Sequence, residues 1–203
     1  MSKRVYISAD YASDGDKDVV DVLNQWGRDN YHSVNFVDMA QVVSGSVSAD
    51  PDCRACDLKK EFNKQINASS AVIFVVGDKT ALRTAGNSCS RCDNDSWWNI
   101  TCTPYKQNAN GSKNCKVTGA TSIPGPNDDV GSINSYSYLR HEFEQAKKKK
   151  RTILILYNST RNEFSWLPSY MKGYETYAYP FWTTNSYGRK VGNYNLVKQV
   201  LGV

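Results

Sequence analysis

Residues 136–157 constrain the fold more than any other stretch of the chain. They read Tyr-Ser-Tyr-Leu-Arg-His-Glu-Phe-Glu-Gln-Ala-Lys-Lys-Lys-Lys-Arg-Thr-Ile-Leu-Ile-Leu-Tyr. Leu139, Phe143 and Ala146 fall at i, i+4 and i+7, one apolar stripe of a helix. Tyr138 and Glu142 are also i, i+4 and share a second face, about 100° round from that stripe. A carboxylate there, with an aromatic ring one turn before it, is expected at the edge of the buried surface, where a cleft wall would lie. The basic run Lys147 to Arg151 closes the helix against the negative end of its dipole. Ile153-Leu154-Ile155-Leu156 then reads as a strand buried on both faces. A helix feeding a parallel sheet follows, with Glu142 as its candidate functional group. The bland alternative is a surface glutamate paired with Lys147 or Arg140. Glu144, two positions on and pointing to the opposite side, is the better candidate for a solvated charge.

The rest of the chain extends this pattern. Residues 3–8 read as a first strand running into a polar turn, Ala9 to Asp16. Val19, Leu23 and Trp26 mark an amphipathic helix with Asp16 and Asp18 in its first turn, as the helix dipole favours. Ser33 to Val37 is a short strand, followed by a loop of small and polar residues through 52. Asp52 is placed to cap the next helix, whose core stripe is Leu58, Phe62 and Ile66. Residues 71–76, Ala-Val-Ile-Phe-Val-Val, are the plainest strand and end at Gly77-Asp78-Lys79-Thr80. After the 136–157 unit come Phe164-Ser-Trp-Leu-Pro, an aromatic stretch from Tyr174 to Trp182, and a short helix with Leu196, Val197 and Val200. Alternating strand and helix signals predict a parallel α/β sheet, with its sites beyond the carboxyl ends of the strands. Asp10, Tyr11, Asp38, Lys79 and Thr80 fall at that edge, and Tyr138 faces the same way. Asp10, Tyr11 and Asp38 divide between turn chemistry and ligand contact.

Composition sets the outer bounds. A chain of 203 residues with 40 % apolar content holds one substantial core. Thirteen Tyr and five Trp make it slightly rich in residues that line clefts and interfaces. The formal charge of +5 owes much to the run 147–151, read as a solvated helix end or, less simply, an anion-binding patch. No nucleic-acid module is recognisable. The N-terminus enters a strand directly, with no leader and no apolar run of spanning length, which predicts a soluble cytoplasmic protein without a membrane partner. The segment 84–135 is rich in Asn, Ser, Gly and Cys and poor in apolar residues, and reads as an insertion.

The order and content of these motifs resemble a TIR domain, and more narrowly the TIR-like proteins of the bacterial Thoeris anti-phage system. The features that carry the likeness are the opening Arg-Val-Tyr-Ile-Ser-Ala-Asp-Tyr, then Val-Ile-Phe-Val-Val-Gly-Asp-Lys-Thr, then Tyr-Leu-Arg-His-Glu-Phe-Glu-Gln-Ala with its basic helix end and strand. In the family, a strand ending in Gly-x-x-Thr precedes Trp-Val-x-x-Glu-Ile. Here Tyr138 stands at the Trp position, Leu139 at the Val, Glu142 at the Glu and Phe143 at the Ile. The likeness covers 1–83 and 136–160. It implies one TIR-like, flavodoxin-like domain over 1–203, with the 84–135 insertion and an aromatic C-terminal extension, 161–203. It further implies cleavage of the nicotinamide–ribose bond of NAD, as an NAD glycohydrolase or ADP-ribosyl cyclase, with Glu142 as the catalytic carboxylate. Asp10, Tyr11, Asp38, Thr80 and Tyr138 are the implied nucleotide-binding positions. The partners it implies are NAD, a separate effector protein activated by the nucleotide product, a phage-derived trigger and, through composite clefts, further copies of the chain.

The six cysteines include two Cys-x-x-Cys pairs, Cys53/Cys56 and Cys89/Cys92. Such pairs converge readily on tetrahedral zinc. The loops that carry them both fall at the carboxyl edge of the expected sheet, so one structural zinc on these four thiolates is one reading. A site within the insertion, from Cys89, Cys92, Cys102 and Cys115, is another. Disulfides and free thiols are the remaining alternatives. His32 and His141 lack partner spacing and read as polar surface residues. The rival functional readings are a non-catalytic TIR-like module that assembles or binds a nucleotide, and a flavodoxin-like small-molecule binder.

Overall fold

A computed structural model describes residues 3–11, 15–28, 34–39, 51–84 and 137–203, excluding the side chains of residues 51–57 and Lys60. Five strands form one wholly parallel sheet: β1 (Lys3–Ser8), β2 (Val34–Asp38), β3 (Ala71–Val76), β4 (Thr152–Tyr157) and β5 (Ala178–Pro180). Their order is β2-β1-β3-β4-β5, the flavodoxin-like arrangement of a doubly wound α/β fold. The central pair runs in continuous register, from Ala71 beside Thr152 to Val76 beside Tyr157.

Helices α1 (Lys17–Gly27) and α4 (Tyr194–Leu201) cover one face, through Val19, Leu23, Val197 and Leu201 packed on Val5, Ile7, Ile73 and Leu154. Helices α2 (Pro51–Ala68) and α3 (Tyr138–Lys148) cover the other, where Leu58, Phe62, Ile66, Phe143 and Ala146 pack on Tyr6, Val72, Phe74 and Ile155. Because both faces are covered, β3 is buried at every position, as its unbroken apolar run predicts. The short strands β6 (Trp182–Thr184) and β7 (Lys190–Gly192) pair antiparallel outside the main sheet.

Helix α3 starts on Ser137, whose hydroxyl accepts a hydrogen bond from the Arg140 backbone N–H at 3.1 Å. It ends in a Schellman closure: Lys150 N–H donates to Lys147 O at 2.9 Å and Arg151 N–H to Ala146 O at 3.0 Å. Its buried face is wider than the 139/143/146 stripe, because α3 packs on α2 as well as on the sheet. His141 is consequently buried, not a surface residue, and its Nε2 sits 3.1 Å from Asn63 Oδ1 of α2. Beside it, Gln145 Nε2 donates to Asn67 Oδ1 at 2.8 Å. His32 lies outside the described residues.

Two further expectations change. Helix α2 begins at Pro51, a residue suited to a first helical turn, so Asp52 lies inside the helix and not in front of it. Asp16 precedes α1 without making a side-chain cap and is buried. The aromatic stretch 161–203 supplies β5, which pairs with β4 from Ala178 beside Ile155 to Pro180 beside Tyr157. Residues 85–136, and with them nearly all of the insertion, lie outside the described residues. Among the described residues no helix is long and apolar enough to cross a membrane.

Candidate functional site

In the 2-1-3-4-5 order, chain connections leave β1 and β3 in opposite directions, and a crevice opens beyond their carboxyl ends. Tyr6 and Ser8 lie at the end of β1, two residues apart and therefore on the same face, the one covered by α2 and α3. Glu142 comes down onto them from the middle of α3. The Tyr6 hydroxyl donates to Glu142 Oε1 and the Ser8 hydroxyl donates to Glu142 Oε2. Glu142 is only 3 % exposed, so the solvated-glutamate alternative is excluded and the expected place at the edge of the buried surface is corrected to a place inside it. The Glu142 side chain of α3 turns onto β1, where two strand hydroxyls occupy both carboxylate oxygens. Glu144 takes the solvated role, with Lys147 Nζ 3.3 Å away.

Burial pushes the Glu142 carboxyl up to about 7, and the bonds from Ser8 and Tyr6 only partly oppose that rise. Burial, and then the Glu142 charge, push the Tyr6 phenol well above its usual range. Tyr11 is raised likewise, by burial first and then by the charges of Asp38 and Glu142. Asp38, buried at the end of β2, accepts a hydrogen bond from Asn24 Nδ2 of α1. Tyr170 adds another phenol, pushed up to about 12 chiefly by burial and with its oxygen 3.4 Å from Ser137 Oγ. The result is a carboxyl group near its midpoint at neutral pH among phenols that stay protonated. Such a group can take up or release a proton, or face a developing positive charge.

Of the residues predicted for the site, Asp38 and Glu142 are thus both brought within electrostatic reach of Tyr11. Tyr138 stands at the start of α3, half-buried, its ring edge-on to Phe62 at 5.5 Å between centroids. Asp10 is engaged by Arg83 Nε at 2.6 Å. Thr80 belongs to a separate polar knot beyond β3. Its hydroxyl accepts from Gly77 N–H at 2.8 Å and donates to Asp16 Oδ2 at 3.2 Å, while Asn158 Nδ2 donates to Asp16 Oδ1 at 3.0 Å. Burial raises the Asp16 carboxyl, with the Asn158 and Thr80 bonds opposing it.

The sequence reading missed Tyr6, Ser8, Asn24, Tyr170 and Asn158. For the first two there was a signal: they are the polar members of one face of an otherwise apolar strand end. Cys53 and Cys56 fall at i, i+3 in the first turns of α2, not in a preceding loop, and their side chains lie outside the described residues. Cys89, Cys92, Cys102 and Cys115 also lie outside them. Among the described residues no group of three or more His, Cys, Asp or Glu side chains is placed to hold a metal ion.

No family model matches the chain, and no curated protein matches it. Among solved structures, the crystal structure of a prokaryotic SEFIR domain is similar, with a TM-score of 0.40 and 14 % identity over 99 % of this chain and 94 % of that one.

Proposed function

We propose that this chain is a TIR-like enzyme that cleaves the nicotinamide–ribose bond of NAD, with Glu142 as the catalytic carboxylate. The product would be a signal derived from ADP-ribose, cyclised or conjugated, that activates a separate effector in anti-phage defence. The observation that carries this reading is the Glu142 carboxyl itself. It is buried beyond the end of β1, gripped by Tyr6 and Ser8, and pushed up to about 7. Perturbed carboxyls of this kind cluster at functional sites.

In the reaction, the bond from ribose C1′ to the pyridinium nitrogen breaks and its electron pair leaves with neutral nicotinamide. The ribosyl centre becomes oxocarbenium-like, and ionised Glu142 offsets its charge. Addition of water, or of another nucleophile on the same nucleotide, at C1′ then releases one proton. In this reading Tyr138 would pack on an aromatic ring of the nucleotide once released from Phe62, and Asp10, Tyr11, Asp38 and Thr80 would supply its polar contacts. A carboxylate only 3 % exposed demands that the site open before substrate reaches it.

A second reading is favoured by the same bonds. With each Glu142 oxygen already engaged by a strand hydroxyl, the residue serves equally as a polar lock in a non-catalytic TIR-like module. Co-expression of wild type and Glu142→Gln, with and without phage challenge, separates the two when NAD and ADP-ribose products are measured. Product from wild type alone supports catalysis. No NAD-derived product from either folded protein under challenge supports the module.

A further inference from the structure

We propose that the opposite, amino-terminal edge of the sheet carries a second ligand site, one that binds a nucleotide through its phosphates and base. A cavity of about 540 Å³, open to solvent, lies where α3 ends and β4 begins, lined also by Tyr174, Tyr177 and Val200. That volume suits a small ligand. Three of its walls are cationic, Lys147, Lys150 and Arg151, and no acidic side chain lines it among the described residues. Thr152 and Ile153, at the start of β4, form its floor, whereas the Glu142 carboxyl lies at the other end of the strands, so the two sites are distinct.

Lys150 occupies the left-handed region, with φ of 51°, at the helix-closing position that usually falls to glycine. A side chain there is strained, because its Cβ crowds the following carbonyl oxygen. Lys150 lines the cavity, and outliers of this kind gather at ligand sites. The helix end does not repel an anion as an open one would, because Gln145, Lys147 and Ala146 carbonyls accept from Lys149, Lys150 and Arg151 N–H groups at 2.9–3.0 Å. Arg151 is anchored at one end, where its guanidinium donates to Asn67 O at 2.6 Å. Its Nε, shut off from solvent, makes no hydrogen bond. The guanidinium end that holds Asn67 O is exposed, so Arg151 offers an anion a fixed positive charge there.

Base recognition would come from the tyrosines. Tyr174 and Tyr177 lie 5.6 Å apart between ring centroids, and Tyr177 is 50 % exposed, so a ring face is open to stacking. Cations beside aromatic rings in a bounded cavity fit a mononucleotide better than a polymer, which would need a continuous groove.

The test is calorimetric titration of the full chain with ADP, adenosine and pyrophosphate, repeated on Lys150→Gly, Tyr177→Ala and Glu142→Gln. The expected result is a saturable ADP event, tighter than either fragment, weakened about tenfold or more in Lys150→Gly and Tyr177→Ala and kept in Glu142→Gln. Lys150→Gly relieves the left-handed strain, so its Tm should not fall and its loss of binding reports on the charge. Any of these titration results would overturn the proposal: no saturation by ADP, unchanged binding in both pocket variants, pyrophosphate as tight as ADP, or an ADP event lost only in Glu142→Gln. Displacement of ADP by a lower concentration of single-stranded oligonucleotide would also overturn it, in favour of a nucleic-acid surface. Failure of the NAD-cleavage reading leaves this binding untouched.

Discussion

The Tyr6 phenol of β1 donates its hydrogen bond to Glu142 of α3 across 136 residues of sequence, and both residues are buried. The bond joins the first strand to the helix that opens the last third of the chain. It also fixes the chemistry of the carboxyl group, since burial raises its pKa while the phenol and the Ser8 hydroxyl restrain that rise. A buried acid whose folded pKa stands well above its unfolded value is a liability to stability at neutral pH.

The pH dependence of folding exposes that liability. Glu142 goes from an ordinary 4.5 to about 7 on folding, so the native state holds the proton more tightly. Its contribution is fully present below pH 4.5 and is lost as pH rises through 7, by about 3 kcal/mol at about 1.4 kcal/mol per pKa unit. Glu142→Gln removes the ionisation while keeping a polar, isosteric group between Tyr6 and Ser8. Urea denaturation should show the variant gaining on wild type between pH 5 and pH 8. Parallel curves for the two proteins would count against a buried, titrating Glu142.

The Tyr6 hydroxyl favours the ionised form of Glu142. Tyr6→Phe should therefore raise the Glu142 midpoint above about 7 and cost about 1–3 kcal/mol of stability at pH 8, because a buried carboxylate oxygen loses its donor. If Glu142 acts ionised on NAD, cleavage in wild type rises with pH through neutrality and the profile of Tyr6→Phe moves to higher pH. NAD consumption across pH 5.5 to 9 reads both.

Gly77 closes β3 against the Asp16 knot. A Cβ at this position would lie inside contact distance of Asp16 Oδ1, an atom already held by Asn158. Asp16 has no room to yield without breaking its bonds to Thr80 and Asn158. Gly77→Ala should cost about 1–3 kcal/mol, the usual toll of a disrupted buried polar group, and lower the Tm measured by circular dichroism.

Phe143 is wholly buried between the rings of Phe74 at 5.4 Å and Tyr174 at 5.0 Å. Phe143→Ala should destabilise the protein by about 3–5 kcal/mol through lost burial and the cavity left behind. Phe143→Leu should recover most of that, as chemical denaturation would show.

By itself the sequence determined the elements whose burial follows a local rule. The runs 71–76 and 153–156 are apolar throughout because both faces of a parallel sheet are covered, and they became β3 and the middle of β4. The stripes 58/62/66 and 139/143/146 became buried helix faces. Asp10, Asp38 and Thr80 came to one edge because every strand of a parallel sheet ends there. Tertiary structure alone decided the rest. Periodicity within one helix shows which side meets the first neighbour, but not that α2 would cover a second side of α3 and bury His141. It does not show which distant hydroxyls would meet Glu142, because Tyr6 and Ser8 are 136 and 134 residues away. Nor does a three-residue strand such as β5 carry a periodic signal of its own; it exists because β4 offers it an edge. Those outcomes rest on pairings distant in sequence, and only the folded chain brings them together.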